Sequence, residues 1–117
     1  MKRVFLAALL AAFPQTTAAM DGIEFLRLCE RDARPCAGII REQLQGWPKQ
    51  VLDPDKLKRG RIENLACPPH REDRALADLF VRNASQDRSV LRGKPMQEAI
   101  GDVFARAFPA CASSRDS

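Results

Sequence analysis

The chain has a single histidine, and its four cysteines stand at positions 29, 36, 67 and 111 with no C-x-x-C pair among them. A zinc knuckle needs four convergent ligands, and a covalent haem site needs C-x-x-C-H, so neither is expected. No glycine-rich phosphate loop is present. Internal repeats, low-complexity segments and alternating strand patterns are also missing, and no stretch after Phe13 nears the roughly 20 apolar residues of a membrane span. These absences leave no cofactor, no metal site and no catalytic residue to propose. They favour a binding module over an enzyme.

The N-terminus carries the one long apolar run. Met1-Lys2-Arg3 supplies a positive end, Val4 to Phe13 is ten apolar residues, and Thr17-Ala18-Ala19 offers the small residues a signal peptidase reads. We read residues 1–19 as a signal peptide cleaved after Ala19, and 20–117 as one helical domain of 98 residues with one core. Without Lys2 and Arg3, 17 basic and 15 acidic residues remain, a net charge of +2. The sequence pI of about 9.2 therefore does not point to a nucleic-acid partner. After cleavage no membrane contact is expected either. An even cysteine count in a small exported domain predicts two disulfides, for which the sequence permits three pairings.

Four amphipathic stretches follow. Asp21-Gly22-Ile23-Glu24 is a capping-box start for a helix bearing Phe25, Leu26, Leu28 and Cys29. A second runs from Pro35 to Gly46 with Cys36, Ile39, Ile40 and Leu44 on one face, and Trp47 continues the stripe as a core residue. Gly38 is read as a place where a neighbouring helix comes close. From Lys49 to Pro69 the periodicity fades: Asp53-Pro54 starts at most one turn of helix, and Lys56 to Arg61 is a basic, solvated loop. The third helix spans about Arg71 to Ala84, with Leu76, Leu79, Phe80 and Ala84 as its stripe. Ser85 to Gly93 is a polar connection. The last helix, Pro95 to Phe108, carries Met96, Ala99, Ile100, Val103, Phe104, Ala107 and Phe108 at steps of three and four. Ala112 to Ser117 reads as a frayed tail. The fold class expected is all-α, a small disulfide-bonded four-helix bundle.

The helix ends favour Cys29–Cys36, across a tight antiparallel turn, and Cys67–Cys111, where the third helix starts and the fourth ends. With all four cysteines at one end of a bundle, the other two connectivities stay open. Cys67-Pro68-Pro69-His70 is the one thiol and imidazole pair close in sequence. A bonded Cys67 rules out the nucleophile such a pair would need. Asn83-Ala84-Ser85 fits a glycosylation triplet and is read as incidental.

Four segments in order carry a resemblance: Gly22-x-x-Phe25-Leu26-x-x-Cys29, Cys36-x-Gly38-x-Ile40, Cys67-Pro68, and Phe108-Pro109-Ala110-Cys111. Together they resemble the Rap/Tai family, the immunity proteins of type VI secretion systems. The chain departs from that pattern at Ile39, where the family usually has an aromatic residue, and at Ala110, which separates Pro109 from Cys111. The resemblance implies a helical periplasmic protein of bacteria, often a homodimer, whose partner is a secreted cell-wall amidase that it binds and inhibits. A periplasmic structural or stress chaperone without a dedicated toxin is the alternative. For an inhibitor, the helix stripes are occupied by the core and the cysteine ends are tied, so we place the partner-binding residues on the connection from Ala84 to Gly93: Gln86, Asp87, Arg88, Ser89 and Arg92. The basic Lys56–Arg61 loop is the next candidate.

Overall fold

The computed structural model describes residues 20–115; the expected signal peptide lies outside the described residues, as do Asp116 and Ser117. Asp21 opens the first helix as its sequence predicts. Its carboxylate accepts the Glu24 N–H at 2.8 Å and the Glu24 carboxylate accepts the Asp21 N–H at 3.3 Å. This reciprocal cap satisfies two otherwise unpaired donors and starts α1 (Gly22–Arg31). Only Asp32 separates it from α2 (Ala33–Gln43). Two further long helices, α4 (Asp73–Gln86) and α5 (Met96–Ala107), complete the main body.

Their apolar stripes meet in one core. Phe25 of α1 lies edge-on to Phe80 of α4 with ring centroids 4.9 Å apart, and Phe80 lies 6.1 Å from Phe104 of α5. All three rings are fully buried with Leu26, Ile40, Leu76 and Ile100 around them. Each such side chain contributes about 1.5–3 kcal/mol by leaving water. Trp47 is buried at the edge of this cluster, as expected.

The protein is mostly helical but not wholly so. Between Gln50 and Ala66, where a patternless loop is expected, β1 (Gln50–Leu52) pairs antiparallel with β2 (Asn64–Ala66), and α3 (Pro54–Lys58) sits between them. The register sets Val51 opposite Leu65, both packed against the core, while Gln50, Leu52, Asn64 and Ala66 face outward. Three residues per strand are too few to show an alternation in sequence. A sixth helix, α6 (Pro109–Ser113), replaces the start of the expected frayed tail and buries Cys111. The described residues thus hold six α-helices, not four, and a two-stranded sheet.

Two disulfides close the body, Cys29–Cys36 with Cα atoms 4.9 Å apart and Cys67–Cys111 at 5.8 Å. Both spans suit an unforced bridge, and they are the pairs the helix ends favour. The close-approach glycine is not Gly38, which is exposed with nothing within 4 Å of a would-be Cβ. It is Gly22. A methyl group there would stand 2.9 Å from Ala99 Cβ and 3.1 Å from the Leu91 carbonyl oxygen. The chain before α1 is strapped along the entry to α5, with the Gly22 N–H donating to Lys94 O at 3.0 Å and the Met96 N–H donating to Met20 O at 3.2 Å. That strap draws the two backbones together, and only a residue without a side chain fits between them.

Candidate functional site

The Cys67 sulfur is bonded to Cys111, so no thiol faces His70. His70 instead sets Nε2 3.3 Å from the Trp47 carbonyl oxygen, which can only accept, and so steadies the turn after α2. Asn83, of the glycosylation triplet, donates from Nδ2 to the Leu79 carbonyl at 2.8 Å. Among the described residues no group of three or more His, Cys, Asp or Glu side chains could hold a metal ion. No helix among them is long and apolar enough to cross a membrane.

The connection expected to carry partner contacts is more structured than a solvated link. Gln86 is the last residue of α4, and Arg88–Val90 forms a turn of 3-10 helix capped by Asp87. The Asp87 carboxylate accepts from the Ser89 hydroxyl and, at 3.1 Å, from the Ser89 N–H; Arg106 lies 3.7 Å away. The Ser89 hydroxyl first, then the Ser89 N–H, hold the Asp87 carboxyl below the ordinary aspartate range. Gln86, Asp87, Arg88, Ser89 and Arg92 are all exposed, while Leu91 between them is fully buried against Gly22 and pins the segment. Gln86 and Asp87 line a groove of about 200 Å³ with Asn83, Val103, Arg106 and Ala107.

A second groove, of about 300 Å³, lies between the β1–α3–β2 excursion and the α5–α6 junction, lined by Asp53, Asp55, Leu65, Ala107 and Phe108 among others. Ala107 belongs to both grooves. The first groove takes Gln86 and Asp87 from the connection, and the second takes Asp53, Pro54 and Asp55 from the excursion; residues 56–61 line neither.

The root of the excursion is held from several directions. The Cys67 N–H donates to Lys49 O at 2.9 Å, and Cys67 itself is bonded to α6. Arg71 donates from Nη2 to Ala66 O at 2.7 Å and lays its guanidinium 5.2 Å above the Phe108 ring. Its own carbonyl accepts from Arg41 Nη2 at 2.8 Å, and Arg41 pairs with Asp73 at 2.7 Å. At the far end Asp53 caps α3 through the Asp55 N–H at 3.0 Å, and Gly60, at φ +77°, allows the reversal that leads to β2. On this excursion Leu52 is 50 % exposed, Leu57 51 % and Ile62 83 %. Sequence periodicity had no means of showing that these three side chains are left uncovered. Comparison with protein-family models, with characterised proteins and with solved structures finds no match for the chain.

Proposed function

We propose that this chain is an exported immunity protein of the Rap/Tai type, its four long helices packed as a small disulfide-bonded bundle. In this reading it binds and blocks a peptidoglycan-cleaving amidase delivered by a type VI secretion system. The observation that supports it most is where the four resembling segments lie. Gly22 is the contact between α1 and the entry to α5, Phe25 sits in the central ring cluster, Cys29 is bonded to Cys36, and Cys67 to Cys111 beside Phe108. Residues that are separate short motifs in sequence are the joints of one covalently closed body. Such a body is preorganised, which lowers the entropic cost of gripping an enzyme. The disulfides suit an oxidising, exported location. In this proposal Gln86, Asp87, Arg88, Ser89 and Arg92 belong to the partner-facing surface.

The test is genetic. In a strain whose adjacent reading frame encodes an exported amidase, deleting this chain should make cells lyse on exposure to that amidase, and residues 20–117 supplied with an export leader should restore survival. Unimpaired survival of the deletion strain contradicts the proposal, as does the absence of any such neighbour. A second reading, a periplasmic chaperone without a dedicated toxin, draws support from the uncovered Leu52, Leu57 and Ile62. A chaperone should suppress aggregation of an acid-unfolded client, whereas an immunity protein should not.

A further inference from the structure

We infer that the outer face of the β1–α3–β2 excursion is the anchor of the partner interface, and that it fits a protein recess with an apolar floor and a rim of carboxylates. The inference rests on the inhibitor reading and makes it specific. Among the described residues the only large hydrophobic side chains left exposed are Leu52, Leu57 and Ile62, all within this excursion. Leu52 lies on the outward side of the sheet with Asn64 opposite it, and the Asp53 N–H donates to Glu63 O at 2.9 Å, so the pairing continues past β2. By the alternation of a strand, Ile62 then stands on the same outward side as Leu52. Leu57 is presented from α3, between the strands.

The charge beside this apolar face is cationic and unspent. Lys58, Arg59 and Arg61 are exposed and make no ion pair or side-chain hydrogen bond among the described residues. The neighbouring acids are occupied: Asp53 caps α3, and Glu63 holds Lys56 at 3.6 Å. Asp55 lines the inner groove with Phe108. A partner covering this face must supply anions to Lys58, Arg59 and Arg61 and an apolar surface to Leu57 and Ile62. The flank formed by residues 86–92 has the opposite character. Among its described side chains none is a large hydrophobic group left exposed, and its one carboxylate is held by Ser89 and Arg106. Interfaces draw most of their affinity from a few anchors that become fully desolvated, with a polar rim around them. The excursion carries exposed apolar side chains with exposed cations beside them, the pattern of such an anchor.

An anionic bilayer shares part of this chemistry, but the face lacks the tryptophan and tyrosine that favour lipid headgroup regions. The chain has no tyrosine, and its one tryptophan, Trp47, is buried.

The experiment measures binding of residues 20–117 to the exported amidase encoded beside this chain. Four proteins are compared: wild type, Lys58→Glu/Arg59→Glu/Arg61→Glu, Leu57→Ser/Ile62→Ser, and Gln86→Ala/Asp87→Ala/Arg88→Ala. The charge-reversed and serine variants should each weaken binding by about a hundredfold, as loss of an anchor does, and the connection variant by less than about tenfold. Melting temperatures should stay within a few degrees, because the altered side chains are exposed. Wild-type affinity should fall with added salt, and the charge-reversed variant should lose most of that dependence. Full affinity in both excursion variants overturns the inference while leaving the inhibitor reading intact. Failure of the wild type to bind overturns the inhibitor reading itself. Cosedimentation of the wild type with phosphatidylglycerol vesicles, abolished by charge reversal while amidase binding persists, would make the face a membrane surface and also overturn the inference.

Discussion

Replacing Gly22 with alanine should destabilise the protein, and the same change at Gly38 or Gly101 should not. At Gly22 the added methyl would meet Ala99 Cβ at 2.9 Å, Leu91 O at 3.1 Å and Leu91 Cα at 3.2 Å. Carbon atoms pack best at about 3.5–4.0 Å, and two of these neighbours are backbone, which no rotamer change can move. Relief requires α1 to slide from α5, stretching the Gly22–Lys94 and Met20–Met96 bonds. Overpacking of this kind costs about 1–3 kcal/mol. Against it stands the helix preference of alanine over glycine, at most about 1 kcal/mol and less at the first helical position. The net loss is about 1–2 kcal/mol, a fall in melting temperature of about 5–15 °C for a domain of this size. Gly38 and Gly101 lie inside helices with nothing within 4 Å of the new methyl. Alanine there should raise stability by about 0.4–1 kcal/mol through the unfolded chain. Urea and thermal unfolding of residues 20–117 give all three values. A Gly22→Ala protein as stable as wild type, or a Gly38→Ala loss of equal size, refutes the packing argument.

Removing Cys67–Cys111 as a pair of alanines should cost about 4 kcal/mol and removing Cys29–Cys36 about 2.5 kcal/mol on the chain-entropy model, because they close separations of 44 and 7 residues; urea unfolding that reverses this order contradicts a loop-entropy origin for their stabilisation. The Asp87 carboxyl should titrate below about 3.8 in the folded protein. Its stabilising contribution is therefore complete above that value and is lost as pH falls through the lower folded value. Ser89→Ala should move the midpoint back up in a carboxyl NMR titration, and an unmoved midpoint would remove Ser89 as the cause. Protein recovered from a periplasmic extract should begin at Met20 by intact mass, and a chain that retains residues 1–19 would end the signal-peptide reading.

The four long helices were legible because their stripes are long enough to repeat: seven apolar residues at steps of three and four from Met96 to Phe108 leave little choice of period. The helix ends favoured the cysteine pairs that form, but with all four cysteines at one end of a bundle they left the other two connectivities open. What could not be read depends on docking between distant segments. Whether Gly22 or Gly38 marks a close approach is decided by the strap at residues 94–96, which no local pattern announces. Leu91 is a lone leucine in a polar stretch, and only the turn capped by Asp87 carries it inward. The same limit hid the apolar half of the candidate site. Lys56 to Arg61 shows its charge in sequence, but Leu52, Leu57 and Ile62 look no different there from leucines and isoleucines of the core.

The proposed function is inhibition of a cell-wall amidase by direct binding. It is tested most directly by titrating purified residues 20–117 into the amidase encoded beside the chain and following cleavage of peptidoglycan. Activity should fall linearly to zero at one domain per enzyme molecule. Undiminished cleavage at a large excess of the domain would contradict it.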